Sequence, residues 1–331
     1  MQDLAQTINR HELFRAEELG SVVKIEAALI EGARQYFKQN NFTEVVVPHI
    51  TAATGACENV NTLFGVDYFG KRGWLAQTGQ LYLESLVPKL DRVFCIGPSF
   101  RAEAEADNRH LTEFPLLEME LQCNLDQLIK HIEGVFMSML TNALKREQAL
   151  STLGTDISRL KSIKSPFKRV TYTQAVKDIN SHGWDVKWGD DLKAIHEKTL
   201  CELYGNKPFF ITHYPRAIKF FNMRTNAQDS KIVNSTDFIL PYSGEAVGAA
   251  EREHEYEILY EKLESSAMLQ QLKKLGGSIE DFKWYLDCLR ENGSVPHAGC
   301  GIGLNRITQF VLGTQDIRGC TGFPLNSATL Y

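Results

Sequence analysis

The chain has 331 residues, enough for one large domain or two ordinary ones around a sizeable core. Hydrophobic residues make up 43% and charged residues 23%, too apolar a balance for a disordered chain. The net charge of −5 argues against attachment to nucleic acid by bulk charge alone but leaves room for a local basic face, and seven cysteines without a CxxC pair argue against a disulfide framework and a zinc ribbon.

Residues 1–20 form a polar lead without the apolar centre of a signal peptide, and no apolar run approaches the ~18 residues of a membrane span. A soluble protein of the reducing cytoplasm is the expectation. From Ser21, apolar residues recur at helical spacing through Val22, Ile25, Leu29, Ala33 and Phe37, and Asn40-Asn41 supplies a stop. The β-branched run FTEVVVPHI predicts a strand that Pro48 ends or bends. Three strand-like runs (YFGKRGWLAQ, DRVFCIGPSF, FPLLEMELQC) surround one helical stretch near 80–90. Residues 126–210 read as mostly helical, led by the amphipathic DQLIKHIEGVFMSMLTNALKREQAL. PFFITHYP and KFFNMRT predict strands, and STDFILPYSGEAVGAAERE predicts two more around a turn at Pro241–Gly244. A long helix is expected from about 253 to 275, then a second one capped by Ser278 with Asp281 and ending near Gly293. PHAGCGIGLNRITQFVLG reads as a glycine-rich turn feeding a helix. This order lacks a steady βαβ rhythm. It predicts an α/β (α+β) protein with an antiparallel or mixed sheet, one domain carrying a helical insertion.

Chemistry concentrates in three segments. In FPLLEMELQC, Leu117, Met119 and Leu121 share one face, while Glu118 and Glu120 share the other, close to a loop holding Arg101, Arg109 and His110. Arginine can grip phosphate oxygens with its planar fork, although a solvated charged hairpin is the commoner use of such a pattern. Asp237 and Glu245, eight residues apart across a turn, suit Mg²⁺ shared with substrate phosphates, or are two surface acids. Arg252 can neutralise a substrate carboxylate or pair with Glu255. Gly299, Gly301 and Gly303 permit close backbone approach before a helix N-terminus, yet match neither the GxGxxG fingerprint nor a P-loop.

Together these segments resemble the three motifs of class II aminoacyl-tRNA synthetases. FRAE with RHLTEF and LEME resembles motif 2, GCGIGLNR resembles motif 3, and the helix–strand–Pro48 unit resembles motif 1, the dimer interface of that class. GQLYLE, Cys57-Glu58, HYPRAIKFFNMR, DFILPYSGE, AERE and WYLDCLRENGSVPHAG look like the asparaginyl side of the aspartyl/asparaginyl branch. Leu83 followed by Glu84 stands where aspartate-specific members carry a lysine. The chain is also similar to the archaeal asparagine synthetases related to that branch.

The resemblance implies a mostly antiparallel six- to seven-stranded sheet flanked by helices, with a catalytic domain over 21–331 and a helical insertion at about 125–208. It implies that Arg101 binds the α-phosphate of ATP and Glu103 the adenine. Arg109 and His110 would meet the outer phosphates, and Phe114 and Arg306 would sandwich the adenine beside Gly303. Asp237 and Glu245 would hold Mg²⁺, Glu58 and Gln80 the substrate amino group, and Glu84 and Arg252 its side chain. Arg101 and Arg306 would then be the catalytic pair, neutralising charge during in-line displacement at phosphorus. The family's anticodon-binding barrel has no counterpart in the twenty residues before motif 1. Asn59-Val60-Asn61, Glu251, Asn305 and FPLNS (323–327) depart from the group's pattern. The expected protein is a homodimeric ligase that converts aspartate, asparagine or an analogue into an aminoacyl-adenylate. Transfer to ammonia or another amine is expected, without an anticodon domain to grip tRNA. The alternatives are a minimal asparagine–tRNA ligase and a non-catalytic regulatory paralogue, the last disfavoured by retention of Arg101, Asp237, Glu245 and Arg306.

Overall fold

The computed structural model describes residues 4–53 and 59–330. Arg10, only 1% exposed, donates to the carbonyls of Leu4, Gln6, Thr321 and Gly322, so the lead is clamped to the far end of the chain. Helix α1 (Glu17–Gln39) begins four residues before Ser21, with Glu17 and Glu18 in its first turn, where acids suit the helix N-terminus. Leu19, Val22, Ile25, Leu29, Ala33 and Phe37 form its buried stripe.

FTEVVVPHI is not one strand. It contributes β1 (Thr43–Glu44) and β2 (Ile50–Thr51) on either side of Pro48, which has no N–H to donate to a ladder. There follow β3 (Gly65–Tyr68), β4 (Lys71–Leu75), α2 (Gln80–Leu90), β5 (Arg92–Phe100) and β6 (Glu113–Leu121). Helix α3 (Leu125–Leu144) starts at a capping box of Asn124 and Gln127. The segment from 145 to 212 holds α4 (Glu147–Thr152), α5 (Ile157–Lys161), β7 (Lys168–Thr171), α6 (Tyr172–Asn180), α7 (Ala194–Leu203) and β8 (Phe209–Thr212). Next come β9 (Ser235–Leu240) and β10 (Gly244–Glu251), joined by the expected turn. Then follow α8 (Tyr256–Glu264), α9 (Ala267–Lys274), α10 (Lys283–Asn292), β11 (Ala298–Gly303) and α11 (Leu304–Leu312).

The main sheet has eight strands, not six or seven, in the order β1-β5-β6-β11-β10-β9-β8-β7. Its two outermost pairs are parallel and its centre antiparallel. The range 125–208 is not purely helical, because β7 joins the sheet and α3 packs into the main core. The long helix expected over 253–275 is two helices, interrupted where Ser266 accepts the Leu269 N–H as a cap. KFFNMRT makes only isolated bridges, Met223 to Arg252 and Thr225 to Val233.

Helices α1, α3 and α11 cover one face of the sheet, where Leu117, Met119, Phe136, Phe238 and Phe310 join one apolar cluster. A second cluster unites α8, α9 and α10 with Trp74 of β4 and Leu81 of α2. Between these masses, the other face of β6, β11, β10 and β9 remains open as a cleft.

The α1–α3 crossing depends on Gly32. A Cβ there would lie 2.6 Å from the Ser138 carbonyl oxygen and 2.7 Å from Met139 Cα, both backbone atoms. Gly32→Ala is expected to lower stability by about 1–3 kcal/mol, an overpacking cost measurable by urea denaturation.

Candidate active site

The open face carries a cavity of about 500 Å³. It gathers Arg101, Glu103, Arg109, His110, Phe114, Gly303 and Arg306 with Gln80, Asp237, Glu245 and Arg252. A cavity of about 550 Å³ near Trp188 and His213 contains none of them. Glu84 lies behind Gln80, and Glu58 lies outside the described residues.

The nucleotide-like end is built by the β5–β6 loop. Arg101 follows the last residue of β5, its N–H bonded to the Thr112 carbonyl at 2.8 Å. Its guanidinium lies 4.9 Å from the Phe114 ring centroid, a cation–π contact. Asp107 shapes the loop, accepting the N–H groups of Arg109 and His110 at 2.8 Å and facing His110 Nδ1 at 2.9 Å. Arg306 enters from the first turn of α11 and donates to the carbonyls of Ser243 at 2.6 Å and Arg109 at 2.9 Å. Burial, then the neighbouring Arg109 charge, pulls Arg306 down to about 10. In this structure the guanidinium facing Phe114 is therefore that of Arg101, while Arg306 is held by backbone oxygens.

The acids Asp237 and Glu245 come from adjacent strands, β9 and β10. Both stand over Gly248, where a Cβ would lie 3.0 Å from Glu245 Oε1 and 3.9 Å from Asp237 Oδ1. Two oxygens converging on one point fit a hard divalent cation that completes its shell with phosphate and water. Among the described residues, no three His, Cys, Asp or Glu side chains form a closed metal cage.

The opposite end is a buried ionic cluster. Glu84 Oε1 accepts from Gln80 Nε2 at 2.6 Å, and Oε2 accepts from the Tyr285 hydroxyl at 2.7 Å beside His297 Nε2 at 3.2 Å. Arg252 forks onto Glu120, with Nη2 at 2.6 Å and Nε at 3.0 Å from Oε1, and its Nε lies 4.0 Å from Glu84. Arg252 does not pair with Glu255, which faces Arg224 instead. Burial works against ionising Glu84, but the His297 hydrogen bond and charge, then Arg252, hold its carboxyl below the ordinary range. Burial also works against His297 charging, and the Glu84 hydrogen bond and charge overcome it and raise it. Burial lifts Glu120 to about 7 against the pull of Arg252.

The profile of class II tRNA synthetases specific for D, K and N matches residues 3–327. The asparagine–tRNA ligase of Desulforamulus reducens is 38% identical over 318 residues, which cover 95% of this chain and 71% of that one. That of Thermococcus gammatolerans is 36% identical over 325 residues, 97% of this chain and 73% of that one. The structure of asparaginyl-tRNA synthetase from Pyrococcus horikoshii complexed with asparaginyl-adenylate superposes with a TM-score of 0.89 at 36% identity, covering 97% of this chain and 72% of that one. The chain belongs to the class II aminoacyl-tRNA synthetases. It is an ATP-dependent ligase of that family's asparaginyl/aspartyl branch.

Several features of this synthetase differ from their reading in sequence. Glu118 and Glu120 are 7% and 1% exposed, so the hairpin is not a solvated one. GCGIG is a strand, not a turn, and Gly299 makes room for a protein group. It pairs with Glu120 across β6 and β11, and a Cβ there would lie within 2.1 Å of all three Glu120 carboxylate atoms. Glu251 accepts the first N–H of α3 from Leu125 at 2.8 Å and the Asn234 amide at 2.7 Å, which makes it a helix cap. Asn305 donates to Glu26 of α1 at 3.0 Å and the Cys320 carbonyl at 3.2 Å, tying motif 3 to motif 1. Asn59 caps the turn Val60–Thr62, and Asn61 accepts from Gln271 of α9 at 2.6 Å, which pins the far end of the loop to that helix.

Sequence reasoning missed Glu197, Lys219, Tyr285 and His297 as site residues. Glu197 arrives from α7, accepting the Glu245 N–H at 3.3 Å and lying 3.7 Å from Arg109, with burial raising its carboxyl above the ordinary value. Nothing in a mostly helical, polar stretch marks it. Lys219 lies inside HYPRAIKFFNMR, and Tyr285 and His297 inside WYLDCLRENGSVPHAG, segments that carry the family resemblance.

Two outcomes follow for the synthetase. Gly299→Ala should displace Glu120 from Arg252 and weaken amino-acid binding at least tenfold by calorimetry, with little change at the nucleotide end. A histidine whose value is raised on folding contributes stability below its unfolded value and loses it as pH climbs through the folded one. Thermal melting should therefore fall on the alkaline side through the His297 transition, a limb that His297→Gln removes.

Proposed function

We propose that this synthetase joins asparagine to AMP as asparaginyl-adenylate and passes the acyl group to tRNA. The buried Glu84 carboxylate carries this reading. Fixed by Gln80, Tyr285 and His297, it is a buried acceptor directly behind Gln80 and Arg252, which line the cleft. An amide N–H₂ satisfies such an acceptor, whereas a substrate carboxylate would place like charges together in a desolvated site. Arg252, beside Glu84, is suited to the substrate's side-chain oxygen. The relatives' activity on asparagine and tRNA supports the same assignment. Ammonia, the acceptor expected from sequence, has no observation in its favour.

In this reading Gln80, with Glu58, holds the substrate's α-amino group, and Arg101 faces the α-phosphate. Arg109 and His110 meet the outer phosphates, and Glu103, Phe114, Gly303 and Arg306 frame the adenine. Asp237 and Glu245 would hold Mg²⁺, which when bound neutralises phosphate charge. The chain's own contribution is positioning and charge compensation, with no protein nucleophile. The substrate carboxylate attacks phosphorus, pyrophosphate leaves, and the acyl group remains joined to AMP in the cleft. Val46, 97% exposed, and Val23, 47% exposed, lie in the α1–Pro48 unit, where we place a homodimer contact. Among the described residues no helix is long and apolar enough to cross a membrane.

Incubation with ATP, Mg²⁺, asparagine and tRNA should yield asparaginyl-tRNA and AMP. Formation of free asparagine from aspartate and ammonium, without charging of tRNA, would overturn the assignment. Glu84→Gln should cut kcat/KM for asparagine in ATP–pyrophosphate exchange by roughly a hundredfold, about 2–3 kcal/mol, while the KM for ATP stays within about threefold.

A further inference from the structure

The two acids assigned to Mg²⁺ already have a cation. Lys219 Nζ lies 2.9 Å from Asp237 Oδ2 and 3.2 Å from Oδ1, so it spans both oxygens of that carboxylate. Its side chain is only 15% exposed, and its ammonium lies 3.9 Å from the centroid of the Tyr214 ring, itself 3% exposed. An ammonium seated on one acid and within the field of the other occupies, electrostatically, the place a divalent ion would take. Both cannot use Asp237 fully at once, and their mutual repulsion is large in a cleft shielded from bulk water.

A lysine suits a part that must later move. Its compact charge sits on a flexible four-carbon stem, and Lys219 lies in the segment 219–223, outside any strand of the main sheet. A triphosphate entering between Arg109 and the acid pair would offer that ammonium an alternative partner, freeing Asp237 for metal. We propose that Lys219 is a resident counter-ion, which keeps the Asp237–Glu245 pair closed to free divalent metal until nucleotide phosphates draw it away. Metal then enters with the nucleotide and not before it. The inference rests on the assignment of these acids to Mg²⁺ and adds an order of binding to it.

Mn²⁺ is the probe, with free ion followed by electron paramagnetic resonance, with and without a non-hydrolysable ATP analogue. The native chain should bind Mn²⁺ at least about tenfold more weakly without the analogue than with it. Lys219→Met should bind Mn²⁺ without nucleotide at least about tenfold more tightly than the native chain. Lys219→Arg, which keeps the charge, should behave as native, and circular dichroism melts report whether each variant is folded. Native binding that is equally tight without nucleotide, or a Lys219→Met curve that matches native, would overturn the proposal. Absence of Mn²⁺ binding in every protein even with the analogue would overturn it together with the metal assignment. Neither result bears on asparagine activation, which pyrophosphate exchange reads separately.

Discussion

Glu84, Glu120, Arg252 and His297 are buried together, and the cost of that burial disciplines the rest of the site. Isolated carboxylates in an interior are expensive, and a pair of them next to each other more so. Here each has its own counter-charge: Arg252 forks onto Glu120, and His297 faces Glu84. Removing Arg252 would strand the Glu120 charge in the interior, at a cost of about 3–5 kcal/mol. The cluster is therefore a fixed electrostatic feature, and whatever binds beside it must fit its charge.

The scaffold holds that feature with elements far apart in sequence. Helix α2 brings Gln80 and Glu84 one turn apart, β6 brings Glu120, the end of β10 brings Arg252, and the approach to β11 brings His297. Helix α10 reaches over from its own apolar cluster to place the Tyr285 hydroxyl on Glu84. Gly299 removes the one side chain that would push Glu120 aside. At the other end the same sheet presents Asp237 and Glu245 on neighbouring strands, with the Lys219 ammonium on Asp237. One antiparallel surface thus carries both the buried cluster of Glu84, Glu120 and Arg252 and, farther along, the Asp237–Glu245 pair.

Much of this was legible from sequence because it is local. Alternation along FPLLEMELQC put Leu117, Met119 and Leu121 into the core, and the Pro241–Gly244 turn set β9 against β10. FTEVVVPHI was legible in part: Pro48 does interrupt it, but only Thr43–Glu44 before the proline and Ile50–Thr51 after it pair in a sheet. The burial of Glu118 and Glu120 was not legible, because a pattern of alternate acids looks the same whether water or a guanidinium satisfies it. Lys219 and His297 escaped for a similar reason. Each acts through a partner supplied by another strand or helix, Asp237 eighteen residues away and Glu84 more than two hundred, and no spacing rule connects them. Glu197 was hidden in a polar helix whose inward face is defined only by the sheet it covers.

The comparison that bears most directly on the anionic subsite is the ratio of kcat/KM for asparagine to that for aspartate, measured by pyrophosphate exchange on the native chain near neutral pH. A charged, fully buried Glu84 predicts a preference for asparagine of roughly a hundredfold or more. Equal use of the two amino acids, or a preference for aspartate, would contradict the account, because a carboxylate could then be accommodated where the structure places another one.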